Sequence, residues 1–145
     1  MEKQKGFTLV EALFVLSIFM IISLVTVFSL KPQHSVVEEA AFLTQLQSDL
    51  YFAQNYAIAH QHQVLIIFLP SQYKYTISER TELPPFLVRS YSKNIYLTEG
   101  SLPLTIKFLP NGNVSDFGSI LIHTKNNKYK LTFLIGRGRF YVKEQ

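Results

Sequence analysis

Cysteine is absent from the 145 residues, which excludes disulfide frameworks, thiolate metal sites and cysteine nucleophiles and leaves the redox compartment open. Charge is missing over one long stretch, since after Glu11 the next charged residue is Lys31. No internal repeat, low-complexity tract or second domain boundary interrupts the remainder. No nucleophile elbow, H-E-x-x-H pair or phosphate-binding loop is written anywhere, which argues against an enzyme and calls for no cofactor. The length favours one domain, and 48% hydrophobic residues are enough to build a core. Much of that apolar content, however, sits in the uncharged run.

From Ala12 through Leu30 the chain is dominated by Leu, Ile, Val and Phe, with only Ser17, Ser23, Thr26 and Ser29 polar. As a helix, such a run is long enough to cross about 30 Å of hydrocarbon. A secretory signal would have a shorter apolar region followed by small residues at a cleavage site. Here the run ends in Leu30-Lys31-Pro32, so the helix is expected to stay in the product. Lys3 and Lys5 precede it, which places the N-terminus inside and residues beyond about 32 outside. The formal charge of +4 is uneven. Residues 32–102 carry four Lys/Arg against six Asp/Glu, and residues 103–145 carry seven against two. The C-terminal part is therefore basic, though less so than a dedicated nucleic-acid arm.

Glu11 does not fit an ordinary anchor, because it stands inside the apolar stretch and not at its border. A carboxylate near a bilayer centre costs about 2.5–3.5 kcal/mol and needs a partner. It can snorkel to the headgroups, or its partner can belong to another chain. The segment Lys5-Gly6-Phe7-Thr8-Leu9-Val10-Glu11, leading into the apolar run, resembles the prepilin signal of type IV pilins and pseudopilins. The resemblance implies that a membrane-embedded prepilin peptidase cuts between Gly6 and Phe7 and that the new amine on Phe7 is N-methylated. It also implies that the Glu11 carboxylate attracts the terminal amine of a neighbouring subunit in a fibre core. Physics supports that pairing, since the two charges attract more strongly in a low-dielectric core and each left alone is penalised by desolvation.

Pro32 is expected to end or kink the membrane helix. Ser35 and Glu38 then have the spacing of a capping box. An apolar stripe follows at Val36, Ala40, Leu43, Leu46, Leu50, Ala53 and Ala57, with Glu38, Glu39 and Asp49 elsewhere on the wheel. This predicts a soluble helix over about 35–61. Eight strands are predicted beyond it, at 63–69, 73–78, 86–91, 95–98, 104–109, 119–124, 128–135 and 139–143, separated by Gly, Pro and Asn turns. The fold class is α+β, a long N-terminal helix packed on a mostly antiparallel β-sheet head. The expected organisation is a leader (1–6), a membrane or fibre-core helix (7–31) and a pilin-like head (32–145). The C-terminal strands, with no acidic loop for calcium, resemble those of the minor pseudopilins of type II secretion and of competence systems.

Two clusters compete with an assembly role. His60 and His62 have a metal-ligand spacing, but two ligands do not make a site, and no metal is assigned. Lys125, Lys128, Lys130, Arg137, Arg139 and Lys143 form a basic cluster, the first five of them the candidate DNA-binding residues, interleaved with Tyr129, Phe133, Phe140 and Tyr141. Strand alternation assigns those aromatics to the core, and polar-out, apolar-in accounts for the pattern without DNA. The sequence therefore reads as a minor pilin or pseudopilin, a non-catalytic subunit of a type IV pilus-like fibre serving DNA uptake in transformation. The resemblance implies as partners other pilins, the prepilin peptidase, an assembly ATPase and a membrane platform, with DNA contacted indirectly. It implies a single-pass membrane precursor that moves to the cell surface in the fibre. The alternatives are a type II secretion pseudopilin, a DNA-binding receptor subunit, or a plain membrane-anchored β domain.

Overall fold

The computed structural model describes residues 8–136 and 138–145, with backbone alone over 27–35. One helix, α1, spans Leu9–His60 and is followed by eight strands. These are β1 (Val64–Leu69), β2 (Lys74–Ser78), β3 (Leu87–Ser90), β4 (Tyr96–Glu99), β5 (Thr105–Phe108), β6 (Gly118–His123), β7 (Lys128–Phe133) and β8 (Phe140–Glu144). Each lies within or beside its predicted segment, because the Gly, Pro and Asn clusters between them punctuate the chain. Residues 1–37 and 38–145 form separate compact units.

In the first unit, the helical backbone continues through Pro32 instead of ending there. A proline in a helix forfeits one main-chain hydrogen bond, and this helix extends for more than twenty residues to either side of it. Ser35 therefore lies inside the helix, and no new N-terminus forms there. The cap is at the other end. Thr8 immediately precedes the helix, and the Glu11 amide donates to Thr8 Oγ1 at 3.3 Å. The T-x-x-E spacing of residues 8–11 is thus the capping sequence, and Glu11 stands in the first turn where the helix dipole favours an anion.

In the second unit, two four-stranded antiparallel sheets, ordered β3-β2-β1-β5 and β4-β6-β7-β8, share one core with the helix. The second half of α1 buries Phe42, Leu46, Leu50, Ala53 and Ala57 against Ile66, Phe68, Tyr75, Ile77, Ile120, Ile122, Leu131 and Phe133. Leu46, Leu50, Ala53 and Ala57 of the expected stripe are in the core and Leu43 packs half-buried against it, and the difference is confined to a few positions. Val36 and Ala40 are exposed, whereas Glu39 and Asp49, assigned to the wet side, are 6% and 4% exposed.

Both carboxylates are buried because each meets donors that replace water. Asp49 Oδ2 accepts from the Tyr75 hydroxyl at 2.7 Å and from Arg89 Nε at 3.0 Å, and Gln45 Nε2 donates to Oδ1 at 2.9 Å. Glu39 Oε1 accepts from the Tyr129 hydroxyl and from Asn127 Nδ2, the latter at 3.1 Å. Tyr75 and Arg89 belong to the first sheet, and Tyr129 to the second. One helix face is therefore fastened to each sheet by a carboxylate. Burial and the Asp49 acceptor push the Tyr75 phenol well above its ordinary range, which keeps it a donor at every physiological pH.

Gln54 adds a third tie. Its side-chain amide donates to the Gly112 carbonyl at 2.8 Å and to the Gly138 carbonyl at 3.3 Å, joining the turn after β5 to the β7–β8 turn. Gly138 has φ +58, and a Cβ there would lie 2.1 Å from the Gly112 oxygen. Only glycine permits that approach of two backbones.

Residues 38–145 hold the buried core described here, so this segment produced alone is expected to unfold in one cooperative transition. A non-cooperative melt by circular dichroism would show that the head needs a partner to fold.

The Glu39 carboxyl gives a pH dependence. Burial raises its pKa, but hydrogen bonds from Tyr129, Thr124 and Asn127 outweigh burial and hold it below the ordinary 4.5. A depressed native pKa stabilises the fold above the unfolded value, and this contribution is lost as pH falls through the native one. Denaturant titrations should show stability declining below pH 4.5, with a shallower decline in Glu39→Gln. Equal acid limbs for the two proteins would remove Glu39 from the account.

Candidate functional site

The site begins with a helix that has nothing of its own to pack on. Over Leu9–Thr26, 18 residues with mean hydropathy 2.5, every side chain faces outward and none is buried. Leu9, Val10, Phe14, Phe19, Met20, Ile21 and Leu24 are each more than 60% exposed. Such a surface is far too apolar for water and is stable only in lipid or against other helices.

The hydroxyls in the segment do not oppose this. Ser17 donates to the Leu13 carbonyl, Ser23 to Phe19 and Thr26 to Ile22, at 2.8, 2.8 and 2.9 Å. Each bond returns one turn along the same helix, so no hydroxyl enters the apolar phase unpaired. Glu11 is the one charged side chain from Leu9 to Thr26, exposed on the first turn beside its Thr8 cap. Gly6 and Phe7, the residues expected to flank a cleavage, lie outside the described residues.

The candidate DNA-binding residues are spread over the second sheet. Lys128 and Lys130 project from the outer face of β7, as alternation requires, with Tyr129 and Leu131 facing inward. Lys125 is at the β6–β7 turn, whereas Arg139 lies past the far end of β7, so the two stand at opposite ends of the strand. Arg137 is outside the described residues.

The assignment of all four aromatics to the core needs one correction. Tyr129, Phe133 and Phe140 do face inward, but Tyr141 is 46% exposed on the outer face. It alternates with core-facing Phe140 and Val142, and outward Lys143 stands two residues beyond it. Lys143 lies directly opposite Lys130 across the β7–β8 pair. Lys143 belongs to the basic cluster of the sequence, but the register that sets it opposite Lys130 is not written locally.

The two histidines are not neighbours on a strand. His60 ends α1, stacked on Tyr56 with ring centroids 3.9 Å apart, and His62 lies in the turn before β1. Among the described residues no group of three metal-binding side chains converges.

Comparison with known proteins agrees with this geometry. Residues 1–27 match the Prokaryotic N-terminal methylation motif. The whole chain is 29% identical over 148 aligned positions to competence protein ComGD of Bacillus subtilis (strain 168), covering 97% of that protein. The fold is similar to the type IV minor pilin FimU of Pseudomonas aeruginosa, with TM-score 0.62 and 15% identity, covering 72% of this chain and 91% of that one. It is also similar to the minor pseudopilin EpsH of the Vibrio cholerae type 2 secretion system, with TM-score 0.57 and 11% identity, covering 74% and 97%. Beside an exposed apolar helix capped at Thr8, the chain thus carries the N-terminal methylation motif, is similar over its whole length to a competence protein and has a fold similar to those of minor pilins.

Proposed function

We propose that the protein is a minor subunit of a type IV pilus-like fibre that serves DNA uptake in transformation, and that it acts by assembly and not by catalysis. The observation that carries this reading is the solvent-facing apolar helix Leu9–Thr26 with a single carboxylate in its first turn. The full-length similarity to a competence protein favours transformation over secretion, and the likeness to EpsH keeps a type II secretion pseudopilin as the second reading.

In this proposal the precursor sits in the membrane with its N-terminus inside. A prepilin peptidase removes residues 1–6, and the amine of Phe7 is methylated and stays cationic. The apolar helix then leaves lipid for a bundle of neighbouring helices, with an assembly ATPase and a membrane platform supplying the work. Exchanging lipid tails for apolar side chains gives little net drive, so packing and the pairing of Glu11 with a neighbour's amine set the register. The Thr8 cap contributes by holding Glu11 on a formed first turn beside the chain end.

Cleavage tests the first step. Gly6→Ala should slow processing and a bulky charged residue at Gly6 should abolish it, because an extended backbone must approach the protease closely. Mass spectrometry of membrane-derived protein should find a chain starting at methylated Phe7. Retention of residues 1–6 in cells with active peptidase would overturn the reading.

Glu11→Gln tests the second. Glutamine serves a capping box as well as glutamate does, so the helix start and cleavage should survive. The neutral amide leaves a neighbour's ammonium unpaired, and co-purification with the other pilins should fall about tenfold or more. Normal processing together with wild-type association would rule out the pairing role.

A further inference from the structure

The geometry points to the outer face of the second sheet as a binding surface for single-stranded nucleic acid, with lysines on the phosphates and Tyr141 stacked on a base. The inference deepens the DNA-uptake reading by naming a direct contact, and it rests on that reading only for its biological role.

Register assembles the surface. One cross-strand row carries Tyr96, His123 and Lys128, the next Thr98, Leu121, Lys130 and Lys143, and the third Ser119, Thr132 and Tyr141. Lys130 and Lys143 are paired directly opposite, an arrangement of like charges that destabilises a sheet. Among the described residues neither they nor Lys128 is ion-paired. A groove of about 320 Å³ opens between them, lined by Lys130, Thr132, Tyr141, Lys143, Glu144 and Gln145. Two lysines opposite in register, with the Thr132 and Tyr141 hydroxyls and the Glu144 carboxylate on the same groove, suit a phosphodiester, whose anion relieves the repulsion of the like charges.

Tyr141 selects the class of polyanion. The core is closed beneath it by Phe133 and Phe140, 1% and 8% exposed, so packing does not need its ring. An exposed aromatic flanked by lysines on an open sheet offers a stacking platform, and stacking requires an unpaired base. An acidic peptide would satisfy the lysines but would leave the ring without a role.

The test uses the full chain in detergent and fluorescence anisotropy with a labelled 15-mer of thymidine, the same-length abasic strand and a 15-base-pair duplex. The thymidine strand should bind about tenfold more tightly than the abasic one. Lys130→Gln with Lys143→Gln should weaken both single strands about tenfold and lower the salt slope by about 1.4, two phosphates at about 0.7 each. Tyr141→Ala should weaken the thymidine strand alone, about tenfold, and Tyr141→Phe should restore it. Lys74→Gln on the other sheet is the control and should change nothing. Circular dichroism melts matching the wild type establish that each variant is folded.

Equal affinity for thymidine and abasic strands, tighter binding of the duplex, or full competition by poly-glutamate would overturn the proposal. Variants that lose binding should still be cleaved and co-purify with other pilins. A wild-type chain that binds the thymidine strand but does not co-purify with other pilins tells against the fibre reading and not against this one.

Discussion

The head depends on one constraint: two carboxylates on a single helix face must be buried with enough donors to replace water. Glu39 and Asp49 are ten residues apart, about 80° from each other around the helix, so each points at a different sheet. Asp49 meets the first sheet through Tyr75 and Arg89, and Glu39 meets the second through Tyr129. A helix packed by apolar contact alone can slide or rotate at small cost, because such contact is non-directional. Two hydrogen-bonded carboxylates have one geometry each, and together they fix the rotation of α1 and the placement of both sheets on it. The ties are also a liability, since removing a donor leaves a buried acceptor unsatisfied.

At the other end of the chain the constraint is reversed. The first helical turns bury nothing, and every apolar side chain from Leu9 to Val25 is offered outward. Their fate is decided by surroundings. What the chain supplies for itself is local satisfaction: a threonine cap and hydroxyls bonded back along the helix. Glu11 is the one group from Leu9 to Thr26 whose charge calls for something beyond the helix, which is why a neighbouring amine is the natural complement in the proposed fibre.

Legibility in the sequence followed the range of the physics. The strands were readable because period-two alternation and Gly, Pro and Asn turns are local, and all eight were found in place. Grouping into two sheets was not, because the pairing of β6 with β4 in place of β5 depends on contacts remote in sequence. The wet side of the helix departs from expectation at two residues for a related reason. Glu39 and Asp49 look solvent-bound by type, and only the distant hydroxyls of Tyr129 and Tyr75 make their burial affordable. Pro32 and Ser35 spell a helix boundary by local rules, yet the helix runs through both. In the N-terminal site, Thr8 and Glu11 carry a capping spacing that the resemblance to prepilins had already drawn attention to for another purpose.

The cap formed by residues 8–11 and the pairing proposed for Glu11 are connected by geometry. A pairing between Glu11 and a neighbour's amine requires the carboxylate at a defined height on the helix, and the cap defines where the helix starts. Without Thr8 the first turn would fray, since its early amides lack partners inside the helix. The carboxylate would then sample many positions relative to the apolar surface, and pairing would carry the extra cost of ordering that turn. The same spacing of three residues that closes the cap also sets Glu11 one turn inside the chain end proposed to form at Phe7. In the proposed fibre, threonine and glutamate in this register therefore serve local folding and intermolecular recognition by one arrangement of side chains.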